Sequence, residues 1–134
     1  MSVPLRTFVA VVNGKEIFTI ELLDERPTGF SVSVPELAIY TFGQTERQAL
    51  ARILTHVVEK YYDLLASPIP LNENEQEFLQ RYRTQIIPAL IEENLQRGHA
   101  MSVWGRVWTA LTGGDGWRAA FLASLRTSLK PLPG

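Results

Sequence analysis

The 134-residue chain contains no cysteine. Disulfide bonds, thiolate metal ligands and cysteine nucleophiles are therefore excluded, and a reducing compartment, the cytoplasm, is the expected location. Histidine is almost as scarce, with only His56 and His99 in the whole sequence. His56 falls one position off the apolar side of a predicted helix, and His99 follows a glycine that ends another. We interpret both as surface residues and expect neither a metal nor another cofactor.

The chain also lacks a basic excess, because its formal net charge is −1. Nucleic-acid binding by the whole chain is disfavoured, since phosphate neutralisation supplies most of the affinity of such proteins. No apolar run approaches the roughly 20 residues that cross a bilayer, and the first residues read as a strand and not as a signal peptide. With 46% hydrophobic and 20% charged residues, the composition is that of one globular domain without a membrane segment.

Catalytic patterns are missing as well. The glycines form no phosphate-binding loop and the serines no nucleophile elbow. Glu21, Asp24 and Glu25 are close in sequence, but the last two fall in a predicted turn and Glu21 on the solvent side of a strand. We therefore predict no two-metal site and no enzymatic activity.

The first half of the chain has the pattern of an antiparallel β-meander. RTFVAVV (6–12) is followed by Asn13-Gly14, the strongest hairpin signal, because a type I′ turn needs a positive φ at both central positions. In EIFTIELL (16–23), alternation predicts that Phe18, Ile20 and Leu22 face the core and that Ile17, Thr19, Glu21 and Leu23 face outward. FSVSVP (30–35) alternates in the same way, and AIYTFG (38–43) is a short fourth strand.

A long amphipathic helix follows these strands. Thr45 to Gln48 has the pattern of a capping box, in which each side chain bonds the backbone at the other position. Behind it, apolar residues recur every three or four positions over about five turns. They are Leu50, Ile53, Leu54, Val57, Val58, Tyr61, Leu64 and Leu65. The predicted fold class is α+β, with a sheet of three or four antiparallel strands packed against this helix (core, 1–71).

The prolines of SPIPL (67–71) end that helix, and a helical extension (72–98) begins at Asn72 or Asn74. Pro88 predicts a kink in the extension and Gly98 its end. Glu73, Glu75 and Glu77 lie in its first turns. They are either a solvated helix start, where the helix dipole favours acids, or an acidic face for a basic partner.

The remaining segment (99–134) is a predicted helical tail that holds all three tryptophans, Trp104, Trp108 and Trp117. It carries four basic residues against one acidic residue, a net charge of +3. Trp117, Phe121, Leu125 and Leu129 are spaced by four and predict one apolar helix face. This face could pack on the body or on a second subunit, bind a partner protein, or lie at a membrane surface. An open edge of the sheet is a further candidate interaction surface.

The stretch from Gly29 to Ala49 resembles the HicB antitoxin family. Members typically show a strand G-[YF]-x-V-x-[VF]-P-[DE]-L, then T-x-G-x-T and a helix with E-x-A. The corresponding positions here are Gly29, Phe30, Val32, Val34, Pro35, Glu36, Leu37, Thr41, Gly43, Thr45 and Ala49. The proline-bearing segment 67–71 is also similar, so that the resemblance covers about residues 17–71.

The resemblance implies a partial RNase H-like fold without the nuclease carboxylates. It also implies a partner, a small basic HicA-like toxin that cleaves mRNA and is blocked when the antitoxin covers it. Two alternatives stay open. One is an orphan HicB-like homo-oligomer, and the other is a transcriptional regulator that binds DNA through its C-terminal helices.

The chain differs from the family pattern in three places. Ala38-Ile39 stands where members usually have Gly-Cys, the strand 6–12 precedes the family core, and no DNA-reading motif is recognisable beyond residue 72.

Overall fold

The computed structural model describes residues 6–96 and 115–131, except for the side chains of residues 94–96, 115–117, 119 and 120. Its strands are β1 (Arg6–Val12), β2 (Lys15–Asp24), β3 (Phe30–Val34), β4 (Ile39–Gly43) and β5 (Leu129–Pro131). Its helices are α1 (Glu46–Leu65), α2 (Glu73–Arg81), α3 (Ile87–Gln96) and α4 (Asp115–Ser128). A 3₁₀ turn (Pro35–Leu37) connects β3 to β4, and a π-helical turn (Tyr82–Ile86) joins α2 to α3.

The strands form one antiparallel sheet in the order β4-β3-β2-β1-β5. The first four are sequential neighbours, as in a meander whose short turns join each strand to the next. Buried side chains of the sheet and of the helices belong to one hydrophobic core, so the helices cover one face of the sheet. The α+β class and the antiparallel sheet predicted from the sequence are confirmed.

The β1–β2 hairpin turns at the predicted dipeptide. Asn13 has φ 53° and Gly14 has φ 75°, which are the two positive values that a type I′ turn requires. Both residue types tolerate this region, and a turn of this type sets the register of the two strands that it joins.

A β-bulge in this hairpin overturns one expectation about β2. Ala10 lies opposite Phe18 and Val11 lies opposite Glu16, so Ile17 has no partner on β1. The extra residue shifts the alternation, and Ile17 is buried in the core beside Phe18. The prediction that Ile17 faces outward is therefore wrong, whereas Phe18, Ile20 and Leu22 are buried as predicted.

Helix α1 packs against β4 and β3 through its apolar side. Its buried residues are Ala49, Ile53, Leu54, Val57, Val58, Tyr61, Tyr62 and Leu64. The ring of Tyr61 lies 5.1 Å from that of Tyr82 and 6.2 Å from that of Phe121, between ring centroids. Tyr61 thus joins α1 to the π-helical turn and to α4 at the centre of the helical layer.

The helical extension changes geometry before Pro88. The amide of Ile87 donates to the carbonyl of Tyr82, five residues earlier, which is the π pattern. Proline has no amide hydrogen, and its ring crowds the carbonyl four residues before it. We attribute the widened turn to Pro88. The sequence thus indicates that Pro88 disturbs the helix, and the structure shows that the disturbance lies in the turn before the proline.

The chain returns to the sheet after α4. Phe121 and Leu125 are fully buried, as their spacing predicts, but Leu129 belongs to β5 and not to the helix. β5 pairs with Phe8 to Ala10 of β1 and covers that edge of the sheet. Pro131 cannot continue a helix, and the free edge of β1 supplies the backbone partners that the chain needs at this point.

None of the helices described here is long and apolar enough to cross a membrane.

Candidate interaction surface

Gly29, the last residue before β3, lies close to the end of β4. Gly29 has φ 146°, and a Cβ atom at this position would lie 2.4 Å from the ring of Phe42 and 2.6 Å from the carbonyl oxygen of Gly43. Both the backbone angle and the space therefore require glycine. Phe30, the next residue, is buried in the core below the guanidinium of Arg26.

Glu36 continues the hydrogen bonding of β2 past the end of β3. The β2–β3 ladder pairs Glu21 with Ser33 and runs no further towards the amide of Thr19. The carboxylate of Glu36 accepts from this amide at 2.8 Å and from the Oγ1 hydroxyl of Thr19 at 2.8 Å. Pro35 at the first position of the 3₁₀ turn, where a fixed φ is favourable, directs Glu36 to this place.

Lys60 fixes the other side of the same corner. Leu37 is fully buried, and its carbonyl accepts a hydrogen bond from Lys60 Nζ at 2.5 Å. The ammonium group also lies 4.0 Å from the centroid of the Phe78 ring on α2. Burial lowers the pKa of Lys60 below its ordinary value, and the nearby Glu75 acts in the opposite direction. One side chain therefore connects the corner, α1 and α2.

The last family-like residues form the contact between β4 and the start of α1. Thr41 is half-buried opposite Val32, and Ala49 is fully buried. A Cβ atom on Gly43 would lie 2.5 Å from the amide nitrogen of Ala49, so only glycine allows the two backbones this close. Thr45 caps α1 by accepting from the amide of Gln48 at 3.1 Å, as predicted. The expected return bond differs, because the Gln48 side chain accepts from the amide of Gln44.

The three glutamates at the start of α2 have different surroundings. Glu75 forms a capping box with Asn72, with hydrogen bonds of 2.8 and 3.0 Å, which selects Asn72 over Asn74 as the cap. Glu73 and Glu77 are exposed one turn apart, and neither forms an ion pair with a residue in the described ranges. With Gln76 and Gln80 they line a shallow open depression of about 390 Å³, named here the acidic hollow.

The acidic hollow presents two like charges on one helix face, which destabilises an isolated helix by a few tenths of a kcal/mol. A basic partner would relieve this repulsion. Next to the hollow, a second depression is lined by Glu36, Glu77, Phe78, Gln80, Arg81, Thr84 and Gln85. It extends from α2 towards the corner after β3 and carries two carboxylates and one guanidinium group.

The other candidates from the sequence lie apart from this surface. His56 is exposed on α1, with Nδ1 3.7 Å from the Glu59 carboxylate. Asp24 bonds Arg26 in the β2–β3 turn, and these hydrogen bonds hold the pKa of Asp24 below its usual value. Within residues 6–96 and 115–131, no three His, Asp or Glu side chains are grouped as a metal site would require.

The tail lies mostly outside the described residues. Trp104, Trp108 and His99 are among those residues that the structure does not describe, and for Trp117 it describes only the backbone, within α4. Their predicted interaction role stays a prediction.

The sequence interpretation missed the outer side of β4. The side chain of Tyr40 is 81% exposed, the highest value among the large hydrophobic residues described. Arg52 donates to the carbonyl oxygen of Phe42 at 2.8 Å, and Glu59 lies beside Tyr40 in an open depression between β4 and α1. The alternation in AIYTFG places Tyr40 opposite the buried side, and this was the available signal.

Comparison of the chain with protein-family models, with curated proteins and with solved structures gives no match.

Proposed function

We propose that this chain is a HicB-like binding module that acts as an antitoxin and neutralises a small basic mRNA-cleaving toxin by protein–protein contact. The observation that carries the proposal is the pattern from Gly29 to Ala49. Gly29, Glu36 and Gly43, which the family pattern specifies, each make a contact that shapes the strand, the corner or the start of α1. These contacts support the proposal because they give the residues of the pattern a structural role in this chain.

Charge supports the same proposal. A basic toxin needs a surface of complementary charge. Complementary charges raise the rate of association and make binding selective for the correct partner. Glu73 and Glu77 supply such a surface on a helix that Lys60 and the capping box at Asn72 hold in place. In this account the acidic hollow is where the partner binds, and Glu75 serves the fold.

A second candidate is an orphan HicB-like protein that works as a homo-oligomer. The observation in its favour is the outer side of β4, where Tyr40 is exposed beside an unpaired strand edge in the part of the chain that the structure describes. The two candidates are compatible in structure, since the acidic hollow and β4 are different surfaces.

A growth assay tests the antitoxin function. The reading frame next to that of this chain is expressed from an inducible promoter, alone and together with the chain. We expect the neighbour to arrest growth and the wild-type chain to restore it. If the neighbour neither arrests growth nor binds the chain, the antitoxin proposal is wrong.

A further inference from the structure

Strand β4 forms one edge of the sheet. It pairs with β3 from Ile39 to Gly43 and has no second strand neighbour among residues 6–96 and 115–131. The opposite edge, at β1, is covered by β5. An open strand edge offers backbone donors and acceptors to another chain. On β4 the carbonyl of Phe42 already accepts from Arg52 of the same chain, so the remaining backbone groups are those on offer.

From this edge we infer that β4 pairs antiparallel with β4 of a second copy of this chain, about a two-fold axis through Thr41. The two sheets then become one continuous sheet, with the α1 helices of both copies on the same side. Two features of this surface are self-complementary, which is the property that a two-fold interface requires, and a third feature brings the two close to one axis.

The side chains of β4 are the first feature. In an antiparallel pair centred on Thr41, Tyr40 lies opposite Phe42 of the second copy, and Ile39 lies opposite Gly43. Tyr40 and Phe42 share the sheet face that α1 does not cover, since they pair with Ser33 and Ser31. The interface would bury the Tyr40 ring of each copy against the Phe42 ring of the other. Aromatic pairs between neighbouring strands are favourable.

The charges along the outer side of α1 are the second feature. This side, named here the α1 stripe, presents Gln48, Ala51, Arg52, Thr55, His56, Glu59 and Asp63. Its basic residue lies towards the start of the helix and its acidic residues towards the end. An antiparallel second copy brings Arg52 opposite Glu59 and Gln48 opposite Asp63, and symmetry repeats each pair.

The alignment of helix and strand is the third feature. Gly43 lies against Ala49 and the Phe42 carbonyl bonds Arg52, while the Leu37 carbonyl bonds Lys60 at the other end. Thr41, the centre of β4, is therefore level with the middle of the α1 stripe near Thr55. The axis that pairs Tyr40 with Phe42 therefore passes close to the one that pairs Arg52 with Glu59.

Side-chain size near the axis permits the helices to approach. Paired strands lie about 4.8 Å apart and packed helices about 8–10 Å apart. α1 contacts both β4 and β3, so it lies inward from the strand edge. Ala51 and Thr55, the small residues of the stripe, lie where two such helices would be nearest.

Sedimentation velocity of the full chain over a range of concentrations tests the pairing. We expect a dimer for the wild type. Tyr40→Lys should raise the dissociation constant at least tenfold, because it removes two aromatic pairs from the interface. Ile69→Lys is the matched control, because Ile69 is also a large exposed hydrophobic residue among those described, at 69%, and lies in the segment between α1 and α2. It should remain dimeric.

Exchanging two charges of the α1 stripe shows whether a variant weakens the dimer through the interface or through loss of the fold. Arg52→Glu and Glu59→Arg should each weaken the dimer, and the double variant should restore it, with circular dichroism confirming that all three are folded. A wild type that stays monomeric at every concentration overturns the proposal. So does a dimer that Tyr40→Lys and both single charge variants leave intact, which would place the contact elsewhere, such as in the tryptophan-rich tail. Neither result bears on toxin neutralisation.

Discussion

The phenol of Tyr82, in the π-helical turn, donates a hydrogen bond of 2.6 Å to the backbone carbonyl of Val57 on α1. The Tyr82 side chain is fully buried, and its ring packs on that of Tyr61. This contact connects the extension, which carries the acidic hollow, to the helix that packs on the sheet. The Tyr82 hydrogen bond is therefore one of the contacts that set the position of the hollow.

Replacing Tyr82 with phenylalanine should keep the ring packing and remove the hydrogen bond. We expect the free energy of unfolding to fall by about 1 kcal/mol, the usual net value of such a bond. Urea unfolding followed by circular dichroism measures it. Tyr40→Phe, at an exposed phenol, is the control and should cost little. Equal stability of Tyr82→Phe and the wild type would show that the bond contributes nothing to holding α2 and α3.

The same residue predicts how stability depends on alkaline pH. Burial raises the pKa of Tyr82 far above its ordinary value of 10.0, and burial also raises the pKa of Tyr61. Above about pH 10 the unfolded chain loses phenol protons that the folded chain keeps. The stabilisation is thus complete below that pH and is lost as the pH rises, by about 1.4 kcal/mol per pH unit for Tyr82.

Unfolding free energies at several pH values above 10 check this slope. Tyr82→Phe should have a shallower slope than the wild type by about 1.4 kcal/mol per pH unit, because one proton-linked group is gone. Parallel slopes for the two proteins would contradict the burial of an un-ionised phenol at this position.

Glu36 is expected to stabilise the fold through Thr19. Glu36→Ala leaves the amide of Thr19 without its acceptor, so we expect a loss of about 2 kcal/mol, as for hydrogen bonds to a charged group. Glu25→Ala, in the exposed β2–β3 turn, is the control. A double-mutant cycle with Thr19→Val should give a coupling energy well above zero. Additive effects would mean that Glu36 acts through something other than Thr19.

Gly14 and Gly43 require glycine for different reasons, the first for its backbone angle and the second for lack of space. Gly14 has a positive φ and nothing within 4 Å of an added Cβ, so Gly14→Ala should cost about 1 kcal/mol of backbone strain. At Gly43 the added atom would meet the backbone of Ala49, so Gly43→Ala should cost about 2 kcal/mol or more through displacement of α1. Denaturant unfolding of both variants decides, and a smaller cost at Gly43 would mean that α1 moves easily.

Ala38 offers a stabilising change. It has φ 52°, in the left-handed region, at the position where the family pattern usually has glycine. Ala38→Gly should relieve strain of about 1–2 kcal/mol and lose part of this to the greater freedom of the unfolded chain, for a net gain of about 0.5 kcal/mol. The control is Ala51→Gly, on the exposed side of α1, which should destabilise by about 1 kcal/mol. Destabilisation by both substitutions would contradict the strain at Ala38.

Local signals made most of the fold predictable. Asn13-Gly14 specifies a turn through its backbone angles, and Thr45 specifies a helix cap through its side-chain hydroxyl. Both features are where the sequence indicates. Ile17 and Leu129 were misplaced because the bulge and β5 depend on pairing with β1, which no local pattern expresses.

The candidate site was predictable in composition but not in arrangement. Three glutamates at the start of a helix are visible in the sequence. The helix is capped by Asn72, and for this reason Glu75 closes the capping box while Glu73 and Glu77 face solvent. A helix capped by Asn74 would have placed the three glutamates differently. The hydrogen bonds of Tyr82 and Glu36 were not predictable, because their partners, Val57 and Thr19, are distant in the chain.

Affinity purification of the tagged chain from its own cells, with mass spectrometry of the proteins retained, tests the central claim most directly. Three forms are compared: the wild type, Glu73→Lys/Glu77→Lys in the acidic hollow, and Glu16→Lys/Glu25→Lys, which makes the same charge change at exposed positions elsewhere. The account predicts that a small basic protein, encoded beside this chain, co-purifies with the wild type and the control and is lost from the hollow variant. Recovery of the bait alone in all three forms, or equal recovery of the basic protein by the hollow variant, would contradict it.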